Sequence, residues 1–175
     1  RASDEADGLI SPVEDEVRKL LGVHVWGADD DSLEGNIRQI YVNRGLTLAT
    51  MESCTGGLLA NMLTDAPGAS DFFRGGLVSY SNEMKIAMGV SAEIIDEYGA
   101  ISGQCAIAMA DAVRDRVGAS VGVGITGVAG PDPAEGKQPG LAYIAISDAL
   151  HHKVREGQYP PQRQDLKLRA ARTAM

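Results

Sequence analysis

Three side chains in this sequence could make or break a covalent bond: the neighbours Ser53 and Cys54 and, further along, Lys85. Ser53 stands where the extended apolar run 47–52 stops. The glycine pair Gly56-Gly57 then turns the chain into a helical pattern carried by Leu58, Leu59, Met62 and Leu63. The first turn of a helix has unpaired N–H donors and the positive end of the macrodipole, so a group that is anionic, or becomes so during a reaction, is favoured there. The turn is therefore an anion cradle or the seat of a nucleophile. A plainer reading stands beside these, because serine is a preferred N-cap and Ser53 could simply close the helix that follows.

Cys54 is a rival nucleophile, since thiolate pKa values fall at helix N-termini; small buried cysteines are also common core residues. Either nucleophile needs a base, and no histidine suits. The pattern G-x-S-x-G is absent, His24 lies outside the expected core, and His151 and His152 follow a strand. Lys85, in Ser79-Tyr-Ser-Asn-Glu-Met-Lys85, is the only lysine between Lys19 and Lys137 and follows the second core strand. A lysine that is half neutral at pH 7 has lost roughly 4 to 5 kcal/mol of its preference for the charged form. Desolvation can supply that, and Ser-Lys variants of the triad use it. On this segment alone, an ordinary surface lysine fits as well.

Gly122-Val-Gly-Ile-Thr-Gly127 matches the dinucleotide pattern G-x-G-x-x-G, with Asp148 downstream. The match is read as accidental, because its first two glycines lie inside a strand and Pro131 and Pro133 block the helix such a fold needs. Thr126-Gly-Val-Ala-Gly-Pro131 is instead a turn where backbone approaches a ligand, or a simple strand exit.

The elements that must position these residues follow from periodicity. Residues 12–21 are expected to be helical and His24-Val-Trp26 a short strand. Leu33, Ile37, Ile40 and Tyr41 share a helical face that ends at Gly45. The Asp29-Asp-Asp31 run reads as a solvated helix start, with Asp31 and Glu34 at capping-box spacing, rather than as a cation site. Strand 46–52, helix 55–65, a Pro67-Gly68 turn and strand 76–80 come next. Helices at 82–88, 91–98 and 103–117 follow, the last with Ser102 as N-cap, then strands 119–126 and 141–147, an edge strand at 153–159 and a final helix from Arg163. Near-continuous apolar strands alternating with helices imply a largely parallel sheet covered on both faces. Ligands collect at the carboxyl ends of such strands, so Ser53, Tyr80 and Thr126 are expected along one edge.

With 175 residues, 44% of them hydrophobic and 23% charged, the chain has the length and balance for one well-buried domain and part of another. No apolar run approaches the roughly 18 to 20 residues that span a bilayer. The acidic N-terminal region lacks the features of a signal peptide, so a cytoplasmic protein with no membrane partner is expected. Cys54 and Cys105 lie in separate elements without ligand spacing, which predicts reduced thiols, no disulfide and no metal site. A net charge of −8 argues against a nucleic-acid partner. A small anionic ligand needs only a local positive pocket, for which Arg74, Lys85 and Arg163 are candidates.

Taken in order, Glu52-Ser-Cys-Thr-Gly-Gly57, Pro67-Gly-Ala-Ser70, Gly76-Leu-Val-Ser-Tyr-Ser-Asn82 with Lys85, Gly89-Val90, Gly99-Ala-Ile-Ser102 and Thr126-Gly-Val-Ala-Gly-Pro131 resemble the C-terminal domain of the CinA family. Single-domain relatives in that family are nicotinamide-nucleotide amidases. The resemblance covers about residues 44–170. Residues 1–43, with Val17 to Gly27 and Ser32-Leu33, look like the tail of a preceding region in longer CinA proteins. The expected layout is thus an N-terminal segment 1–43 and an amidase domain 44–175, cut short in its last helix and part of a larger protein.

The resemblance implies an α/β/α sandwich that deamidates nicotinamide mononucleotide (NMN) without metal or cofactor, in a homo-oligomer. Ser53 would be the nucleophile, Lys85 its base, and Tyr80 a hydroxyl that orients or relays protons. The turn Thr55, Gly56 and Gly57 would supply oxyanion donors, Thr126 and Gly127 would line the pocket, and Arg163 would help hold the substrate. The sequence departs from the family at Pro161-Gln162, where a Gly-Asp precedes the late arginine, and at Lys137-Gln-Pro-Gly140, where the family has Lys-Pro-Val-Gly. Both changes touch substrate holding. The alternative is a non-catalytic nucleotide-binding or regulatory module that uses the same turn and strand ends.

Overall fold

The computed structural model describes residues 2–175. Helix α1 (Ala2–Leu21) starts well before residue 12 and runs into a single 3-10 turn at Gly22–His24. The strand expected at 24–26 does not form, because three residues cannot hold an extended conformation without a ladder partner. Helix α2 (Leu33–Asn43) is capped by Ser32, whose Oγ accepts from the Gly35 N–H at 3.0 Å. The cap thus falls one residue beyond the expected Asp31, whose carboxylate accepts from the Ala28 N–H instead. Ile37 of α2 is buried in the core.

Five strands form one sheet: β1 (Leu48–Glu52), β2 (Phe73–Val78), β3 (Val121–Gly127), β4 (Leu141–Ser147) and β5 (His152–Gln158), in the order β2-β1-β3-β4-β5. Central β1 runs parallel to both β2 and β3, with Leu48 beside Val121 and Glu52 beside Ile125. Strands β4 and β5 then return antiparallel, so the parallel part of the expected sheet is the part that carries the site. As expected, β5 lies at an edge, and its side chains are mostly exposed.

The helices α3 (Leu58–Thr64), α4 (Asn82–Ala87), α5 (Ala92–Tyr98), α6 (Gly103–Val117) and α7 (Arg163–Ala174) complete the three layers. Side chains alternate across β1. Leu48 faces Leu59 and Leu63 of α3 and Leu166 and Ala170 of α7, while Ala49 and Met51 face Cys105, Met109 and Val113 of α6. Ser102 caps α6 as expected, its Oγ accepting from the Cys105 N–H at 3.1 Å.

The dinucleotide-like glycines of β3 find their reason in this packing. A Cβ on Gly122 would lie 1.9 Å from the Ala110 carbonyl oxygen, and one on Gly124 would lie 2.1 Å from that of Ala106. Glycine lets the backbone of α6 press directly on the central strands. The motif is a close helix–strand contact, and no helix follows it before β4.

Candidate active site

The turn after β1 decides where the reactive groups point. Gly56 and Gly57 both have positive φ, 65° and 92°, a conformation that glycine adopts at little steric cost. Together they swing the chain so that α3 starts at Leu58 with Gly57 as its N-cap, and Ser53 is not a cap. The first N–H groups of that helix face back onto β1. There the carboxylate of Glu52, 1% exposed, accepts from Gly57 at 3.1 Å, Leu59 at 3.0 Å and Ala60 at 2.8 Å. An anion cradle, one of the readings the sequence left open for this turn, therefore exists and is filled by the chain's own acid.

This occupation also changes which donors are free. The Gly56 N–H closes the turn onto the Ser53 carbonyl at 3.1 Å, and that of Gly57 belongs to Glu52. Among the described residues, no hydrogen bond to another residue engages the N–H of Cys54 or of Thr55, so of the expected donors Thr55, Gly56 and Gly57 only that of Thr55 stays without a partner residue. The Thr55 side chain is fully buried, and its hydroxyl has no partner.

Ser53 follows β1 directly and is held by its N–H donating to the Ile125 carbonyl of β3 at 2.9 Å. Lys85 comes from α4, whose cap Ser81 accepts from the Met84 N–H at 3.2 Å. The Lys85 Nζ lies 3.2 Å from the Ser53 Oγ, with Lys85 2% and Ser53 7% exposed. Desolvation lowers the Lys85 pKa, and nearby acids including Glu135 and Glu83 act in the opposite sense. Burial pushes the Cys54 thiol up to about 12, the wrong direction for a nucleophile. Cys105 is fully buried and likewise raised, to about 11.

A cavity of about 230 Å³ opens over the pair at the carboxyl ends of β1, β2 and β3. It brings Ser53, Tyr80 and Thr126 together, as the strand ends predicted, and adds Lys85, Gly127 and Arg163 to them. Thr55, Gly56 and Gly57 do not line it, nor does Arg74, which sits exposed on β2. Tyr80 is 63% exposed, and its hydroxyl accepts from Arg163 at 3.4 Å rather than touching the Ser53–Lys85 pair. A relay position therefore goes unfilled by Tyr80 in this arrangement, because β2 ends at Val78 and leaves it at the mouth. Arg163, the first residue of α7, also donates to the Gly130 carbonyl.

Thr126 donates its hydroxyl to the Ala100 carbonyl at 2.7 Å, so it braces the wall. Gly127 is small for a different reason: its Cβ would lie 2.5 Å from the Leu141 carbonyl oxygen of the returning strand.

Three polar lining residues had no role assigned from the sequence: Asn82, quoted only as part of a motif, and Asp132 and Glu135. The Glu135 carboxylate accepts from the Ala100 N–H at 3.1 Å and the Ile101 N–H at 3.0 Å, tying the loop after β3 to the start of α6. No periodicity marks that loop. The one local signal was an acid between Pro133 and Gly136, next to the suspected ligand turn.

The model of the CinA C-terminal domain matches residues 30–175. A CinA-like protein of Frankia casuarinae is 46% identical over 178 residues, covering all of this chain and 41% of that protein. A CinA-like protein of Thermosynechococcus vestitus is 44% identical over 151 residues, covering 84% of this chain and 36% of that one. This chain thus spans about two fifths of the length of such relatives. Among solved structures, competence/damage inducible protein CihA of Agrobacterium tumefaciens superposes with a TM-score of 0.78 at 34% identity, covering 86% of this chain and 93% of that chain. A CinA superfamily protein of Klebsiella pneumoniae gives 0.79 at 28% identity, covering 81% and 90%.

Proposed function

We propose that this chain, which belongs to the family of the CinA C-terminal domain, is an amidohydrolase that converts NMN to nicotinic acid mononucleotide and ammonia. The observation that carries the proposal is the 3.2 Å contact between two buried groups, a serine hydroxyl and a lysine amine whose pKa burial lowers. Such a pair has no need to be buried for stability, since a hydrogen bond of this kind contributes only about 1 kcal/mol net while an ammonium pays several to leave water. It does suit a base that must be neutral to work.

Neutral Lys85 takes the Ser53 proton as Oγ attacks the carboxamide carbon, and the new C–O bond leaves negative charge on the former carbonyl oxygen. The N–H of Cys54, a residue that lines the cavity beside Ser53, is the donor available to that oxygen, and a donor in such a position is worth about 10²- to 10³-fold in rate. The Lys85 ammonium returns its proton to the amide nitrogen, the C–N bond breaks and ammonia leaves. Water then attacks the acyl-serine with the same amine as base, and collapse restores the Ser53 hydroxyl and releases the acid. Arg163 at the mouth, with five N–H donors and two partners among the described residues, is the cation for the substrate phosphate.

Ammonia release from NMN by the purified chain tests this. Ser53→Ala abolishes it, and Cys54→Ala keeps most of it. A folded Cys54→Ala protein without activity, beside an active Ser53→Ala, overturns the assignment.

A further inference from the structure

We propose that Glu135 is the group that recognises the positive ring of the substrate. The inference rests on the amidase reading and goes past it, to how this cavity selects a pyridinium over a neutral ring. NMN carries a permanent positive charge on the ring nitrogen and a phosphate at its other end. If the carboxamide reaches Ser53 on the floor and the phosphate stays with Arg163 at the mouth, the ring fills the space between. A cation taken out of water into that space needs a compensating charge.

Glu135 is built for this. Two backbone N–H groups, those of Ala100 and Ile101, fix its carboxylate on the cavity wall, and a carboxylate with about four acceptor sites keeps capacity beyond two bonds. Lys137 lies 3.6 Å from it, at salt-bridge distance. The Glu135 backbone has φ of 50°, a left-handed conformation that a non-glycine residue holds at a cost and that is concentrated at functional sites. Asp132 adds a second carboxylate to the lining.

The charge of Glu135 also works against catalysis in the empty site, because it favours the ammonium form of Lys85. A neutral acceptor would tether the loop without that penalty. A pyridinium ring beside Glu135 removes the conflict: its positive charge offsets the carboxylate and favours the neutral amine just when Ser53 must lose its proton.

The test compares kcat/KM for NMN with that for its reduced form, whose dihydropyridine ring is uncharged but keeps the carboxamide and phosphate. In Glu135→Gln the ratio of the two falls about tenfold from its wild-type value, the scale of one charge-assisted contact, and the loss is mainly in KM. An equal fall for both substrates makes Glu135 only a loop tether and overturns the proposal. A second measurement needs no variant: 1-methylnicotinamide, which carries the ring charge, competes with NMN on the wild-type protein at about tenfold lower concentration than neutral nicotinamide. Equal inhibition by the two overturns the proposal as well. A wild-type protein that releases no ammonia from NMN removes the amidase reading itself, and this inference with it.

Discussion

In the proposed mechanism Lys85 stays buried against Ser53 and still exchanges a proton, and its environment sets the direction of every pH effect. Burial holds its pKa below the ordinary value, so the neutral base forms as pH rises through that lowered value and the rate rises with it. Stability follows the same sign. Between the lowered folded value and the unfolded value near 10.4, the unfolded chain binds more protons, so folding is favoured increasingly as pH rises through that window. Lys85→Arg keeps a positive charge that cannot dissociate, and we expect turnover to fall by at least about 10³-fold with the fold intact, the scale of losing a general base. Near-normal turnover in folded Lys85→Arg, or a rate flat with pH when chemistry is limiting, removes the base role. Ser53 was legible because it directly follows the first core strand, and Lys85 because it is the only lysine between Lys19 and Lys137, in the segment after the second core strand. Glu52 was not, since a glutamate closing an apolar strand gives no sign that three N–H groups will fold back onto it.

At the level of elements, the strand–turn–helix unit β1–α3 holds Ser53, the proposed nucleophile, and Glu52 is its clasp. Removing the carboxylate leaves buried N–H donors without partners at about 1 to 3 kcal/mol each. We expect Glu52→Ala to lose roughly 3 to 5 kcal/mol in urea unfolding and Glu52→Gln, with one oxygen left to accept, to lose less. A Glu52→Ala protein within about 1 kcal/mol of wild type would mean the turn holds without its clasp. The apolar runs of β1, β3 and β4 made the sheet readable, and Ser102 marked the start of α6 correctly. The return of β4 and β5 was not readable, because a buried strand has the same apolar run in either direction. Helix α3 was expected from residue 55. Two consecutive glycines in left-handed conformations delay it to Leu58 and thereby aim Ser53 at the cavity.

Over the whole molecule, the cavity is assembled from segments far apart in sequence: the turn after β1, α4, the wall at 100–101, the loop after β3 and the start of α7. The strand ends foretold that Ser53, Tyr80 and Thr126 would meet. The acids could not be foretold, since Glu135 reaches Ala100 and Ile101 through a loop with no repeating pattern. The site is accordingly mixed in charge, where the sequence had suggested a positive pocket in a protein of net charge −8. Among the described residues, no group of three His, Cys, Asp or Glu side chains is placed to hold a metal ion. Activity should therefore survive prolonged chelation, and loss restored by one divalent ion would contradict the Ser-Lys mechanism. The most direct test of that mechanism is to run the NMN reaction with hydroxylamine present. An acyl-Ser53 intermediate partitions between water and hydroxylamine, so the hydroxamate of the nucleotide should appear in proportion to hydroxylamine concentration and vanish in Ser53→Ala. Ammonia release with acid as the sole product, persisting in Ser53→Ala, would contradict the account.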